Sequence, residues 1–466
     1  MNFAEIRFWE LLFAGLACIL VLRMLLAGAN ALPEWFDKTA LLSLGLFLLG
    51  CVSWLTLSIF LVVAVGTYVG LWWVLQKDEA RRWKYLFVLI PLQFLPLFYY
   101  KYANFAVNQV LNLEMGFLRG LVIPVGISFY TFQKVGFAID TLHFRKPLPR
   151  FLEYLNFVAF FPQIVAGPIE RRQNLLPQME AFRFRWLPKS IDEGIGWIVL
   201  GLFFKCCLAD NLALHFDASS QTNAYRIWLA NVVFGLRIYY DFAGYSLVAV
   251  GLGRCLGINL TLNFTSPLCA TSATEFWHRW HITLSQWFRD YLYIPLGGNR
   301  ARCWSLLVAL VFVVSGIWHG AGWNFVLWGA LHGGFLIVNR KLGPLVRLPA
   351  FLAWLLTTLA TYLAWLCFYE LRTAVLFTKL GTLFHPTAYG MSALREAVAY
   401  LQSADSLVLV CTLVLAAFVL ILEWRSLAAK NEPYALLRRP KILAALVILT
   451  VILAPDKHNA FIYFAF

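Results

Sequence analysis

Charge is scarce in this chain. Of 466 residues only 13% are Asp, Glu, Lys or Arg, and 61% are hydrophobic, whereas a soluble domain carries roughly 25% charged and about 45–50% apolar residues. A water-soluble fold is thereby excluded, and the mean hydropathy of +0.71 agrees. Strand-like alternation is also lacking. The apolar stretches run unbroken, and because hydrocarbon tolerates no open sheet edge they point to helices of about 20 residues rather than to a barrel. There is no soluble domain, no low-complexity tract and no internal repeat, and the missing repeat argues against a transporter built from inverted halves. The nine cysteines, at 18, 51, 206, 207, 255, 269, 303, 367 and 411, form no CxxC pair. They are read as small core residues, not as disulfides or zinc ligands. No small-residue cleavage site follows the apolar segment Phe8–Leu22 and Cys18 sits in a poor lipobox, so this segment is read as a retained span.

What the chain does have is aromatic weight and a basic surplus. Its 40 Phe, 19 Trp and 19 Tyr suit lipid contact and interfacial belts. The formal charge of +14 does not indicate nucleic acid, because the basic residues cluster in short loops between apolar runs, as positive-inside topology requires. Some of those loops are also suited to a polyanionic cytosolic ligand. Spans are expected near 8–28, 40–54, 56–75, 84–101, 117–138, 191–208, 226–252, 304–318, 323–338, 349–369, 406–423 and 441–455. The longest polar connection is placed between Thr378 and Asp405. Pro162, Gly167 and Pro168 interrupt the apolar stretch 151–170, which reads as a re-entrant or interfacial segment whose freed backbone is buried. Lys205 and Asp210 are read as snorkelling from a span end, and Arg237 with Asp241 as an i, i+4 ion pair inside a span.

Chemistry concentrates in residues 275–323, which hold three of the eight histidines. On one helix of about 100° per residue, His278, His281, Ser285 and Arg289 fall within roughly 80° of arc, opposite Phe276, Trp280, Thr283 and Trp287. A turn from Pro295 to Asn299 and an apolar run follow, and His319 then stands among Gly316, Gly320 and Gly322. A buried neutral imidazole keeps its lone pair and is a competent general base; the same residue equally suits hydrogen-bonded packing. The His278–His281 spacing lacks a third metal ligand at a familiar distance, so no metal is expected. His278 reads as packing, and Glu275 with Arg279 as a helix pair. Ser285 has no GxSxG elbow, and the Gly297–Asn299 turn lacks the Walker lysine.

Together, EFWHRWHITLSQWFRDYLYIPLGGNR and SGIWHGAGWNFVLWGALHG resemble the membrane-bound O-acyltransferase family, in its bacterial alginate O-acetyltransferase branch. KYANF at 101–105, PVGISFYTFQ at 124–133, FPQIVAGPIER ending at Arg171, YYDFAGYS at 239–246 and FIYFAF at 461–466 extend the likeness. The resemblance implies an all-α integral membrane protein, with about 11 to 12 spanning helices and re-entrant helices around a central funnel or tunnel. It implies one domain over residues 1–466, with a catalytic core near 99–340. His319 matches the family's catalytic histidine and His281 its second functional one. The implied activity is multi-pass acyl transfer at the bacterial inner membrane, from acetyl-CoA or another acyl thioester as donor substrate, without a permanently bound cofactor. The acceptor is an exported polysaccharide, or a periplasmic SGNH-type acyltransferase that modifies it; membrane lipid is the other partner. Arg279, Ser285, Arg289, Arg300 and Arg302 are candidates for donor binding, and Asn324, Trp318 or a glycine amide for the oxyanion. The chain departs from the branch at Arg237, Leu247 and the stretch Cys367–Glu370, and its DFAGYSL is closer to the D-alanyl-transfer proteins of teichoic acid synthesis. D-alanyl transfer is thus one alternative, and a glycan or lipid transporter another.

Overall fold

The computed structural model describes residues 2–27, 32–113, 115–215, 223–343, 345–346, 348–402, 406–455, 459 and 461–462. Within these every regular element is helical, as expected of a chain whose backbone must satisfy itself in lipid. Two compact units emerge, residues 1–198 with 246–262 and residues 199–245 with 263–466.

The first unit begins with α1 (Ile6–Ala27), α2 (Glu34–Val52), α3 (Trp54–Leu75), α4 (Leu86–Leu97) and α5 (Ile127–Leu142). The span expected over 117–138 starts ten residues late. Pro124 and the left-handed Gly126 (φ +73°) keep the preceding chain irregular, and a Cβ on Gly126 would crowd the Ile164 carbonyl. Helices α6 (Phe151–Val158), α7 (Phe161–Ile164) and α8 (Arg172–Glu180) come from the proline-broken stretch. Residues 154–170 of that stretch are buried, so its freed backbone is covered by protein. Lys38 Nζ donates to Glu153 at 3.0 Å and Asn156 Nδ2 to the Lys38 carbonyl at 3.0 Å, tying α2 to α6.

Helix α9 (Pro188–Leu202) leads into the second unit through a widened turn over Phe203–Ala209, then α10 (Asp210–Leu214) and α11 (Ala224–Cys255). Lys205 does not snorkel. It is 3% exposed and lies 2.9 Å from Asp210 and 2.7 Å from Asp241. Asp241 therefore serves Lys205, stands as the nearest opposing charge to Arg237 as their i, i+4 spacing anticipates, and also accepts from the Ile462 amide at 2.7 Å. A cation buried at that depth is tolerated because two carboxylates compensate it.

The chain continues as α12 (Ala273–Arg279), α13 (Ile282–Phe288), α14 (Trp304–His319), α15 (Trp323–Leu342), α16 (Ala350–Tyr369), α17 (Thr373–Phe384), α18 (Met391–Leu401), α19 (Leu407–Ala428) and α20 (Pro440–Leu453). Helices α17 and α18 occupy most of the connection expected to be polar loop; its end, Asp405, lies outside the described residues, as do residues 463–466 of the terminal FIYFAF. Among the described residues six segments are long and apolar enough to cross a membrane, namely α1, α2, α3, Pro188–Leu214, α16 and α19, while α14, α17 and α20 are shorter and apolar. The protein is a multi-pass membrane protein. Of the cysteines, 206, 207 and 367 are buried as expected, whereas 18, 51, 303 and 411 face outward; on helices this apolar an outward side chain meets a nonpolar surface as readily as an inward one.

Glycine sets the spacing of α14 and α15. A Cβ on Gly316 would strike the Phe325 carbonyl, and one on Gly329 the Phe312 carbonyl, so the two backbones approach as small residues allow in membrane helices. Replacing Lys205 by Met strands two buried carboxylates together, and a loss of about 3–5 kcal/mol is expected. Thermal unfolding in detergent reads this as a lowered midpoint; an unchanged midpoint would show that the cluster contributes nothing.

Candidate active site

The single amphipathic helix expected over residues 275–289 is broken. Helix α12 ends at Arg279, Trp280 is extended, and His281 takes left-handed backbone angles (φ +42°) before α13 starts. That conformation costs a residue with a side chain roughly 1–3 kcal/mol, and the surroundings impose it. Asn263 accepts through its carbonyl from the Ile282 amide at 2.9 Å. Its Oδ1 accepts from Thr283 N at 3.3 Å and Thr283 Oγ1 at 2.6 Å. The Thr265 amide in turn donates to the Arg279 carbonyl at 3.1 Å. The backbone groups released by the break are thus satisfied from residues 263–265.

The break separates the expected polar stripe into two environments. His281 turns inward, 1% exposed, edge-on to Phe242 at 4.7 Å and to Trp318 at 5.9 Å. Burial pushes its imidazole down from 6.5 to about 3, so the ring is neutral. His278, Ser285 and Arg289 instead line a pocket of about 450 Å³. His278 is exposed on that wall, not packed as expected.

His319 closes α14 and is 1% exposed. Its ring meets Trp318 at 4.9 Å, Trp328 at 4.8 Å and Phe368 at 5.4 Å, each edge-on. Trp318 therefore stands between the two buried histidines, in ring contact with both. Gly320, whose Cβ would overlap the Phe325 ring, lets the chain turn sharply after His319. Phe368 belongs to the Cys367–Glu370 stretch that departs from the branch pattern. The same stretch supplies the Cys367 carbonyl, which takes Asn324 Nδ2 at 2.9 Å. One of the two Asn324 N–H donors is thus spent on the backbone. Glu370 is buried and accepts from Arg372 and Lys379, each at 3.0 Å. Burial alone would raise its pKa, but those hydrogen bonds hold the carboxyl below its ordinary range.

Of the remaining candidates, Arg279 pairs with Glu275 at 2.6 Å, as its i, i+4 spacing foretold. Arg300 and Arg302 are exposed and away from the pocket wall. Arg340, Tyr293 and Asn299, which sequence reasoning left unassigned, do line it. Asn299 Oδ1 accepts from Tyr293 at 2.8 Å and from Arg340 at 3.0 Å, so the Gly297–Asn299 turn anchors the pocket's basic rim. Ser315, one turn before His319, and Ser285, one turn after His281, reach the same wall.

Two imidazoles buried among aromatic rings form an arrangement suited to moving a proton between a hydroxyl and a leaving thiolate. The family model for membrane-bound O-acyltransferases matches residues 143–378. The chain belongs to that family and, within it, to the alginate O-acetylase type. It is 34% identical over 377 residues to the probable alginate O-acetylase AlgI of Pseudomonas syringae pv. tomato, spanning 76% of this chain and 72% of that protein. A peptidoglycan O-acetyltransferase of Helicobacter pylori is 34% identical over 356 residues, 66% and 67% of the two chains. A teichoic acid D-alanyltransferase of Streptococcus thermophilus is 30% identical over 239 residues, 47% and 58% of the two chains.

The depressed His281 pKa carries a pH prediction. Between 6.5 and about 3 the unfolded chain binds a proton that the folded chain refuses, so stability falls as pH is lowered through this window and is flat above it. His281→Asn should flatten the acid limb of a melting-midpoint profile recorded from pH 7 to pH 4. A slope identical to wild type would contradict a neutral, buried His281.

Proposed function

We propose that this chain transfers an acyl group, acetyl in the first instance, from a cytosolic thioester such as acetyl-CoA for O-acylation of an exported cell-surface polysaccharide, at the inner membrane of a bacterium. The observation that carries the reading is His319, buried among aromatic rings one turn from a pocket rimmed by Arg289 and Arg340. On this reading the pocket admits the thioester arm, and the two guanidiniums attract the donor's phosphates. His319 takes the proton of the attacking hydroxyl as it adds to the thioester carbon, and returns it to the departing thiolate. His281 orients or polarises the thioester. The hydroxyl belongs to the glycan or to a periplasmic SGNH-type acyltransferase that completes the transfer.

The likeness to a teichoic acid D-alanyltransferase supports a second reading, in which the acyl group is D-alanyl and the thioester is a carrier protein's phosphopantetheine. Mass spectrometry of envelope glycans from a deletion strain separates the two by the mass that disappears.

With purified protein and radiolabelled acetyl-CoA, His319→Ala is expected to abolish transfer while the melting midpoint stays near wild type. Full activity in that variant would remove His319 from the chemistry. His281→Ala should lose donor affinity as well as rate; a rate loss with donor binding intact would assign His281 to the chemical step instead. Arg289→Gln and Arg340→Gln should raise KM for acetyl-CoA several-fold at low salt, and the difference should shrink as salt screens the charges.

A further inference from the structure

Building on the thioester reading above, we propose that the indole Nε1–H of Trp328 is the hydrogen-bond donor that stabilises the oxyanion formed beside His319. Trp328 is 1% exposed, and its Nε1 has no hydrogen-bond partner among the described residues. An indole nitrogen only donates, and leaving such a donor buried and unmade forfeits its hydration without return. Native interiors retain few of these groups, and each calls for an explanation.

The position supplies one. The Trp328 ring lies 4.8 Å from the His319 ring, edge-on to it. It is held edge-on by His332 at 4.7 Å, Phe368 at 5.7 Å and Trp277 at 5.8 Å. An indole clamped by four rings does not reorient during a reaction. This is the condition under which a donor favours the transition state instead of the ground state. The neighbouring donor on the same face of α15, Asn324 Nδ2, spends one of its two hydrogens on the Cys367 carbonyl, whereas the Trp328 N–H is wholly unspent. Trp328 was not among the residues that spacing alone suggested for this role; its N–H became a candidate only because packing leaves it unpaired next to the base.

The chemistry balances. The acceptor oxygen forms a bond to the thioester carbon while its proton passes to a His319 nitrogen. The carbonyl π pair moves onto oxygen, and that oxyanion accepts the Trp328 N–H hydrogen bond without taking the proton. On collapse the pair re-forms the carbonyl, the C–S bond breaks, and the thiolate recovers the proton from His319. Trp328 gives up no atom at any step.

The test uses the full chain in inverted membrane vesicles supplied with radiolabelled acetyl-CoA, with label in the glycan fraction as the readout. Trp328→Phe keeps an aromatic ring in the clamp and removes the N–H; kcat is expected to fall by about 10²-fold, with KM for acetyl-CoA changing less than about twofold. Incorporating 3-benzothienylalanine at position 328 keeps the bicyclic shape without the N–H, and should give the same loss even if the smaller Phe ring loosens the fold. Wild-type rates in the benzothienyl protein, with His319→Ala inactive in the same vesicles, would overturn the assignment while leaving the acyltransfer reading intact. Wild-type vesicles that move no label would overturn both.

Discussion

The close approach of α14 and α15 is the constraint on which the site depends. Two glycines, Gly316 and Gly329, remove the side chains that would otherwise hold the backbones apart. The resulting contact places His319, at the end of one helix, against Trp328 on the other. In a membrane the packing of small residues has no hydrophobic competitor to overcome, because lipid is as apolar as the helices themselves. The separation is therefore decided by steric fit, and a single methyl group at either glycine would open the gap between base and indole.

A second constraint comes from the cost of polar groups away from water. The protein meets it with compact clusters in which each charge is answered locally. Lys205 sits between Asp210 and Asp241, Glu370 takes Lys379 and Arg372, and Glu423 receives Tyr239 through both carboxyl oxygens. The break at His281 follows the same rule at the level of the backbone, since Asn263 and Thr265 take up the amides and carbonyl that the interrupted helix releases. The exceptions lie in one neighbourhood, a buried imidazole at His281 held neutral by desolvation and the unpartnered Trp328 N–H beside His319.

Much of the site was legible in advance. His281 and His319 were identifiable because histidine is rare here and both stand in motifs dense with aromatics and glycine. The all-helical membrane class followed from unbroken apolar runs, and the Glu275–Arg279 pair from its spacing. The polar stripe failed for a definite reason. Helical periodicity presumes a continuous helix, and the hydrogen bonds that stop this one come from Asn263, 18 residues before His281 and invisible to any local pattern. Arg340 and Asn299 were missed on similar grounds, since they join the pocket rim only when α15 returns past the Gly297–Asn299 turn. Arg300 and Arg302 were favoured for proximity in sequence, and they are exposed and not among the residues lining that pocket.

What the sequence determined by itself was composition-borne and local: a helical membrane protein, the family, two histidines as site candidates and the positions at which glycine or proline would interrupt a helix. Those properties depend on residue type and short-range geometry, which survive without knowledge of contacts. Only the tertiary structure decided that Lys205 sits between Asp210 and Asp241, that His278 faces a pocket while His281 is sealed among rings, and that Trp328 joins Trp318 against the His319 ring. Each of these depends on residues far apart in the chain competing for one partner, and the winner is set by distance and burial after packing.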